Sequence, residues 1–206
     1  MNAPNSADSA DSADSADSAD SADSADSADS ADSADSADSA DSADSVVTVY
    51  TDGACRGNPG RGGWAWAVPG GAYASGADPA TTNQRMEIRA ALEALRYWSA
   101  QSPPPSRIDV VSDSTYVVNC FKDRWWQGWQ RRNWRNSQNK PVANRDLWEP
   151  LIELALAPEP APRVTFRWVK GHSGDRWNDW VDELATLAAD RGRGESDLGD
   201  RSTSSS

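Results

Sequence analysis

Short apolar runs rich in β-branched and aromatic residues recur through the middle of the chain and predict strands. These runs lie at residues 46–51, 64–68, 72–75, 108–112 and 164–169. Only glycine- and proline-rich turns separate the first three runs, which favours an antiparallel meander. Each of the last two follows a stretch with helical spacing, as in strands joined by helices. The pattern therefore predicts a mixed α/β sheet with helices on its faces.

Apolar positions at helical spacing predict helices between and after these strands. The helical segments cover residues 82–99, 114–121, 147–156 and 177–189. A basic stretch rich in tryptophan follows the second helix and extends to about residue 144.

Composition restricts this core to part of the chain. The first 45 residues contain no aromatic, leucine, isoleucine or basic residue, and the triplet Ser-Ala-Asp repeats thirteen times within them. Such a segment has too little apolar surface to form a core. We predict a disordered acidic tail over residues 1–45, one folded domain over residues 46–190 and a short disordered tail over residues 191–206.

The formal charge of −12 depends on the repeat, because the repeat supplies 13 aspartates and no basic residue. The rest of the chain has 20 basic and 19 acidic residues, so it is nearly neutral. Within it, residues 122–140 contain six basic residues and one acid. The acidic average therefore does not exclude a nucleic-acid partner.

Two cysteines form neither a disulfide framework nor a zinc-binding pattern, which fits a reducing cytoplasm. No apolar run approaches the roughly 18 residues that a membrane span requires. We therefore expect a cytoplasmic protein without a membrane partner.

Four acidic residues occupy positions where an ionised carboxylate is costly. Asp52 and Asp113 each end an apolar strand, and ligand crevices form at the carboxyl ends of strands in open α/β sheets. Glu87 falls in the apolar sector of its helix, and Asp182 flanks the apolar sector of the last helix. Each acid alone is compatible with a cap or a buried ion pair. Together they would repel one another unless a cation lay between them, and all-oxygen ligands suit magnesium or manganese.

Five segments in one collinear order, spanning residues 46–189, resemble the ribonuclease H type I family of bacterial type. They read TDGACRGNPGRGG at 51–63, TTNQRME at 81–87, SDSTYV at 112–117, NKPVANRDLW at 139–148 and WVKGHSGDRWNDWVDELA at 168–185. The resemblance implies a ribonuclease H-like fold. Its five-stranded mixed sheet has three antiparallel strands and then two parallel to the first, flanked by helices, with a basic protrusion. It makes residues 46–190 a catalytic domain.

The resemblance also implies the activity. It is that of an endonuclease hydrolysing the RNA strand of RNA/DNA hybrids by two-metal-ion catalysis and leaving 3′-hydroxyl and 5′-phosphate ends. The cofactor would be two Mg²⁺ ions, with Mn²⁺ as an alternative, and the protein would act as a monomer on the hybrid duplex.

Site residues follow from the same resemblance. Asp52, Glu87, Asp113 and Asp182 match the family's metal-binding acids. His172 matches a histidine thought to assist proton transfer or product release, although it is otherwise compatible with a solvated loop residue.

Two further sets of residues match the family's substrate-binding positions. The loops that contact the hybrid's minor groove and a DNA-strand phosphate would contain Cys55, Asn58, Thr82, Asn83 and Gln84, which are also compatible with plain turn chemistry. The basic protrusion that grips the DNA strand would contain Trp129, Arg131, Arg132 and Arg135. Some tryptophans of this protrusion are expected to be core instead. We interpret Trp148, Trp168 and Trp180 as core.

Two alternatives remain open at this point. One is another nuclease or strand transferase of the wider ribonuclease H superfamily, which would place carboxylates on the same sheet. The other is a hybrid-binding module without catalysis, which would most simply have lost one of the four carboxylates.

Overall fold

The computed structural model describes residues 45–199. The predicted acidic tail lies outside the described residues except for Ser45, so its disorder stays a prediction. The strands are β1 (Val46–Gly57), β2 (Gly60–Ala67), β3 (Tyr73–Thr81), β4 (Arg107–Ser112), β5 (Arg163–Trp168) and β6 (Ser196–Asp197). The helices are α1 (Asn83–Ser99), α2 (Thr115–Lys122), α3 (Trp125–Arg131), α4 (Arg145–Ala155) and α5 (Arg176–Arg191).

The strands form one mixed sheet in the order β5-β4-β1-β2-β3-β6. β1, β2 and β3 are antiparallel neighbours, whereas β4 is parallel to β1 and β5 is parallel to β4. The predicted fold class is therefore confirmed, with one short strand, β6, added at an edge.

The central strands β1 and β4 are buried on both faces over most of their paired length, which explains why residues 46–51 and 108–112 are nearly continuous apolar runs. Val49 of β1 belongs to a core that also contains residues of α1, α2 and α4. The next residue, Tyr50, belongs to a second core with Val181, Leu184 and Ala185 of α5. Successive strand residues point to opposite faces, so one strand contributes to both cores.

Residues 191–199 differ from the disordered tail expected for residues 191–206. α5 continues to Arg191, and β6 then pairs with β3. The backbone nitrogen of Ser75 donates to the carbonyl of Glu195 at 2.8 Å, and the Tyr97 hydroxyl donates to the carbonyl of Leu198 at 2.9 Å. The segment has polar side chains, but its backbone groups satisfy the free edge of β3. Residues 200–206 lie outside the described range.

The tryptophan-rich stretch contains a short helix, α3, that the apolar pattern did not predict. Trp129 of α3 packs on Trp134 and Trp148, with ring centroids 6.2 and 5.5 Å apart. Trp148 is fully buried, as expected for core, and Trp180 packs on Tyr73 at 5.2 Å between ring centroids. Within residues 45–199, no helix is both long and apolar enough to cross a membrane.

Candidate active site

Three acidic side chains meet at the carboxyl end of β4. Each of Asp52, Glu87 and Asp113 offers a carboxylate oxygen within 4.8 Å of the other two. Thr51 pairs with Ser112, the last residue of β4, so Asp113 follows β4 next to Asp52 of β1. The prediction that Asp52 ends its strand is wrong, because β1 continues to Gly57 in antiparallel pairing with β2. Glu87 comes from the first turns of α1, which packs on β1.

Gly53 allows this close approach of α1. A Cβ atom at residue 53 would collide with the backbone nitrogen of Glu87 and with Met86. Because residue 53 has no side chain, α1 can pack close to β1, and the carboxylate of Glu87 can lie near that of Asp52.

Burial and mutual repulsion raise the pKa values of two of these acids. Asp52 is 5% exposed, and burial, followed by the charges of Asp113 and Asp182, raises its pKa to about 8. Burial also raises the pKa of Glu87 well above its usual value, with the charges of Asp52 and Asp113 adding to the effect.

Few donors offset this cost in the described residues. The backbone nitrogen of Gly53 donates to Oδ1 of Asp52 at 2.6 Å, and Nδ2 of Asn83 donates to Oε1 of Glu87 at 3.2 Å. Oε2 of Glu87 is buried without a hydrogen-bond partner among residues 45–199. Buried carboxylate oxygens that lack donors fit a site for a hard divalent cation.

Asp182 and His172 stand at the rim of this cluster. Asp182 is not in the 4.8 Å group, but its charge contributes to the raised pKa values of Asp52 and Glu87. Nδ1 of His172 lies 3.8 Å from Oδ2 of Asp182, and the two side chains are 81% and 37% exposed. The histidine therefore lies in a solvated loop next to the fourth acid.

Three residues that the sequence analysis did not assign to the site surround Asp113. Nδ2 of Asn178 lies 3.5 Å from its Oδ2, and Nε1 of Trp168 donates to its backbone carbonyl at 3.0 Å. A Cβ atom at Gly171 would collide with Oδ2. The interpretation of Trp168 as core is wrong, because its side chain is 49% exposed at the end of an edge strand. The signal for Asn178 was its polar side chain between apolar positions of the last helix.

The predicted loop residues lie where β1 turns into β2 and where α1 begins. Oδ1 of Asn58 accepts from the backbone nitrogen of Asn83 at 3.4 Å, which joins the two loops. The Thr82 hydroxyl caps α1 by accepting from the backbone nitrogen of Arg85. The Cys55 thiol donates to the Gly57 carbonyl at 2.6 Å, and Gln84 is exposed.

The predicted protrusion residues divide into two groups. Arg131, Arg132 and Arg135 are exposed, and the last two donate to backbone carbonyls within the protrusion. Trp129 is only 7% exposed and packs among other tryptophans. The aromatic cluster covers most of the ring, as expected for a tryptophan that packs the protrusion onto the core. Contact between Trp129 and the substrate stays a prediction.

Comparison with known proteins decides the family. The family model described as RNase H matches residues 44–190, which is most of the chain. The chain belongs to the RNase H family. The predicted resemblance is thereby confirmed, and the chain is an RNase H enzyme, a nuclease of the hydrolase class.

Curated members of the RNase H family are similar over the same region. Ribonuclease H of Chlorobaculum parvum is 45% identical over 145 residues, which cover 69% of this chain and 94% of that protein. A ribonuclease H of Thermus thermophilus is 46% identical over 146 residues, covering 69% of this chain and 83% of that protein.

Solved structures of RNase H proteins share the fold. LC9-RNase H1, a type 1 RNase H with the type 2 active-site motif, matches with a TM-score of 0.62 at 31% identity, covering 75% of this chain and 76% of that one. LC11-RNase H1, solved in complex with an RNA/DNA hybrid, matches with a TM-score of 0.55 at 20% identity, covering 71% of this chain and 98% of that one.

Proposed function

We propose that this RNase H is an endonuclease that hydrolyses the RNA strand of RNA/DNA hybrids and leaves 3′-hydroxyl and 5′-phosphate ends. The observation that carries the proposal is the convergence of Asp52, Glu87 and Asp113 within 4.8 Å at the carboxyl end of β4. Asp182 adds a fourth carboxylate at the solvent side of the group.

The cluster suits two divalent cations, Mg²⁺ or alternatively Mn²⁺. A bound cation would favour the ionised forms of Asp52 and Glu87, whose pKa values are raised without one. Two such ions would activate a water for attack on a phosphodiester. They would also stabilise the oxygen that leaves on the side opposite the attack. The exposed imidazole of His172, 3.8 Å from Asp182, is placed to carry a proton at the rim.

The hybrid substrate is supported by the similar LC11-RNase H1, which was solved with an RNA/DNA hybrid. The polar groups of Asn58, Thr82 and Asn83 lie on two joined loops next to Glu87, where they can meet the 2′-hydroxyls or a phosphate. The exposed guanidinium groups of Arg131 and Arg135 offer phosphate contacts farther along the duplex.

The alternatives are less well supported. A binding module without catalysis has no need of an intact acidic cluster, and a resolvase or integrase relationship lacks the 45% identity seen with ribonuclease H of C. parvum. The cytoplasmic location and the monomeric state stay predictions, and light scattering measures the latter.

The test is cleavage of a labelled RNA/DNA hybrid, with duplex DNA and single-stranded RNA as parallel substrates. We expect cleavage of the hybrid alone, only with Mg²⁺ or Mn²⁺, and products whose 5′ ends are sensitive to phosphatase. Asp113→Asn should lower activity by more than roughly 100-fold. Mutating a residue that only holds a metal ligand in place costs up to about 100-fold, and losing the ligand itself should cost more. Asp123→Asn, an exposed acid at the end of α2, is the matched control. Full activity of Asp113→Asn would reject the metal assignment.

A further inference from the structure

A groove lies next to the acidic cluster, between α2 and the edge strand β5. One face of α2 provides Thr115, Val118, Asn119 and Lys122, and β5 provides Phe166, Arg167 and Trp168. The groove encloses a cavity of about 460 Å³, which is in the size range of ligand sites. No function described above uses these side chains.

The groove begins at the site itself. Trp168 is tied to Asp113 by the 3.0 Å hydrogen bond from its indole nitrogen to the aspartate carbonyl. Thr115 follows two residues after Asp113, at the start of α2. A strand that reaches the carboxylates can therefore continue directly into the groove.

The floor of the groove is rigid. Phe166 stacks on Phe121 of α2, with ring centroids 3.8 Å apart and an angle of 3° between the planes. This stack fixes β5 against α2 beneath Trp168, which lies two residues further along the strand and therefore on the same face as Phe166. The exposed indole is held at the groove's mouth rather than packed away.

The chemistry of the groove matches an unpaired nucleotide strand. Lys122 is exposed and forms no ion pair with an acid within residues 45–199. Arg167 lies between Phe166 and Trp168 on β5, so its side chain points to the opposite face of the sheet. A free lysine near a half-exposed indole combines phosphate attraction with a stacking surface. Bases of a duplex already stack on one another, so an open indole face favours an unpaired base over a paired one.

We propose that this groove, the β5–α2 groove, binds a single-stranded extension of the RNA strand that enters the active site. The inference rests on the proposed function, because the strand that reaches Asp113 is the one that is cut. From Thr115 to Lys122 the helix spans about 10 Å at 1.5 Å per residue. That length accommodates about three stacked nucleotides at 3.4 Å each.

The experiment compares one hybrid in three forms, namely blunt, with a five-nucleotide 5′ RNA extension and with a five-nucleotide 3′ RNA extension. Binding is measured by fluorescence anisotropy with an Asp52→Asn background, and cleavage is measured with the otherwise unchanged chain. We expect one extension, and not the other, to bind about tenfold more tightly than the blunt hybrid, as stacking of a base on an indole implies.

Variants separate stacking from support of Asp113. Trp168→Phe and Trp168→Leu both lose the indole N–H that donates to the carbonyl of Asp113. An effect that acts through Asp113 should therefore be the same in both variants and for blunt and extended hybrids alike. We expect Trp168→Phe to keep most of the preference for the extended hybrid and Trp168→Leu to lose it. Lys122→Gln should reduce the preference and weaken its dependence on salt. Arg163→Gln, an exposed cation at the start of β5 and outside the groove, is the control.

Three outcomes overturn the inference. Equal affinity for the blunt and both extended hybrids would do so, as would an undiminished preference in Trp168→Leu. Failure of the proposed function is distinguishable, because it is a lack of cleavage of the blunt hybrid. Binding is measured without cleavage, so the groove is tested in either case. A further hybrid carries the five-nucleotide extension on its DNA strand. If it binds as tightly as the hybrid with the extended RNA strand, the groove binds the other strand and the proposal is contradicted.

Discussion

Replacing Asp52 with asparagine is expected to stabilise the protein in the presence of a chelator while removing its activity. The carboxyl is 5% exposed, and burial together with Asp113 and Asp182 raises its pKa from 3.8 to about 8. Asparagine keeps the shape and an oxygen that can accept from the backbone nitrogen of Gly53, but it has no charge. The variant therefore removes the cost of burying this carboxyl, which at neutral pH must take up a proton when the chain folds.

The size of the effect follows from the pKa difference between the folded and unfolded states. Above pH 4 the unfolded Asp52 is ionised, while the folded one stays protonated up to about pH 8, so folding takes up a proton between these values. The contribution of Asp52 to the free energy of unfolding is fully present below about pH 4 and is lost progressively as pH rises from there through the folded pKa of about 8. At about 1.4 kcal/mol per pH unit, the gain of Asp52→Asn is up to about 2 kcal/mol at pH 5, 4 at pH 7 and 6 at pH 9.

Urea unfolding, followed by tryptophan fluorescence at these three pH values with EDTA, measures the difference. Asp123→Asn is the control, because it makes the same substitution at an exposed position away from the acidic cluster. Adding Mg²⁺ at 100 times its Kd should stabilise the unmodified chain by roughly 3 kcal/mol and the variant by less. If the difference in free energy of unfolding between Asp52→Asn and the unmodified chain does not grow from pH 5 to pH 9, the reasoning is refuted.

Three further predictions concern the fold around the site. Gly53→Ala should cost about 1–3 kcal/mol and lower cleavage by up to roughly 100-fold, because its Cβ would collide with the backbone nitrogen of Glu87; thermal unfolding and the hybrid assay measure both, and an unchanged variant would contradict the close approach. Trp148→Ala should cost about 3–5 kcal/mol in urea unfolding, because the ring is fully buried; a loss below about 1 kcal/mol would contradict this. Asp190→Asn should leave the urea midpoint almost unchanged, because it and Arg56 form a half-exposed ion pair; a clear fall of the midpoint in the same titration would show that the pair is not a surface contact.

Much of the fold could be predicted from local pattern. Alternation and helical spacing located β1 to β5 and four of the five helices, because burial of one face sets the period of apolar residues in the sequence. α3 was missed because seven residues are too few to establish a period. β6 was missed because its pairing with β3 uses backbone groups, which side-chain polarity does not reveal.

The candidate site divides in the same way. Sequence alone identified Glu87 as an acid in an apolar helix sector and Asp113 as an acid at a strand end. It also singled out Asp52, but wrongly as the end of its strand, because β1 continues to Gly57 beside β2. It could not show that their oxygens lie within 4.8 Å of one another, because that distance depends on parallel pairing of β1 with β4 and on the approach of α1 at Gly53. Asp182 was identified by the same phase argument, but the structure places it at the rim.

Aromatic residues show most clearly where sequence reasoning ends. Trp129 and Trp168 are the same residue type, and each has an aromatic and an arginine within three residues in the sequence, yet one is 7% exposed and the other 49%. A tryptophan is compatible with either environment, because its ring is apolar and its nitrogen can donate. The residues that pack against the ring in the tertiary structure decide between the buried and the exposed environment. Trp129 has Trp134 and Trp148 against it, while Trp168 ends an edge strand that has a neighbour on one side only.

The sequence by itself therefore determined which residues prefer the interior, which acids are costly there and which segment has too little apolar surface for a core. Those are properties of single side chains and their spacing. The tertiary structure alone decided which acids share a site, which tryptophan is open to a ligand and how the edge of β3 is covered. Those depend on contacts between residues far apart in the chain, which no local period encodes.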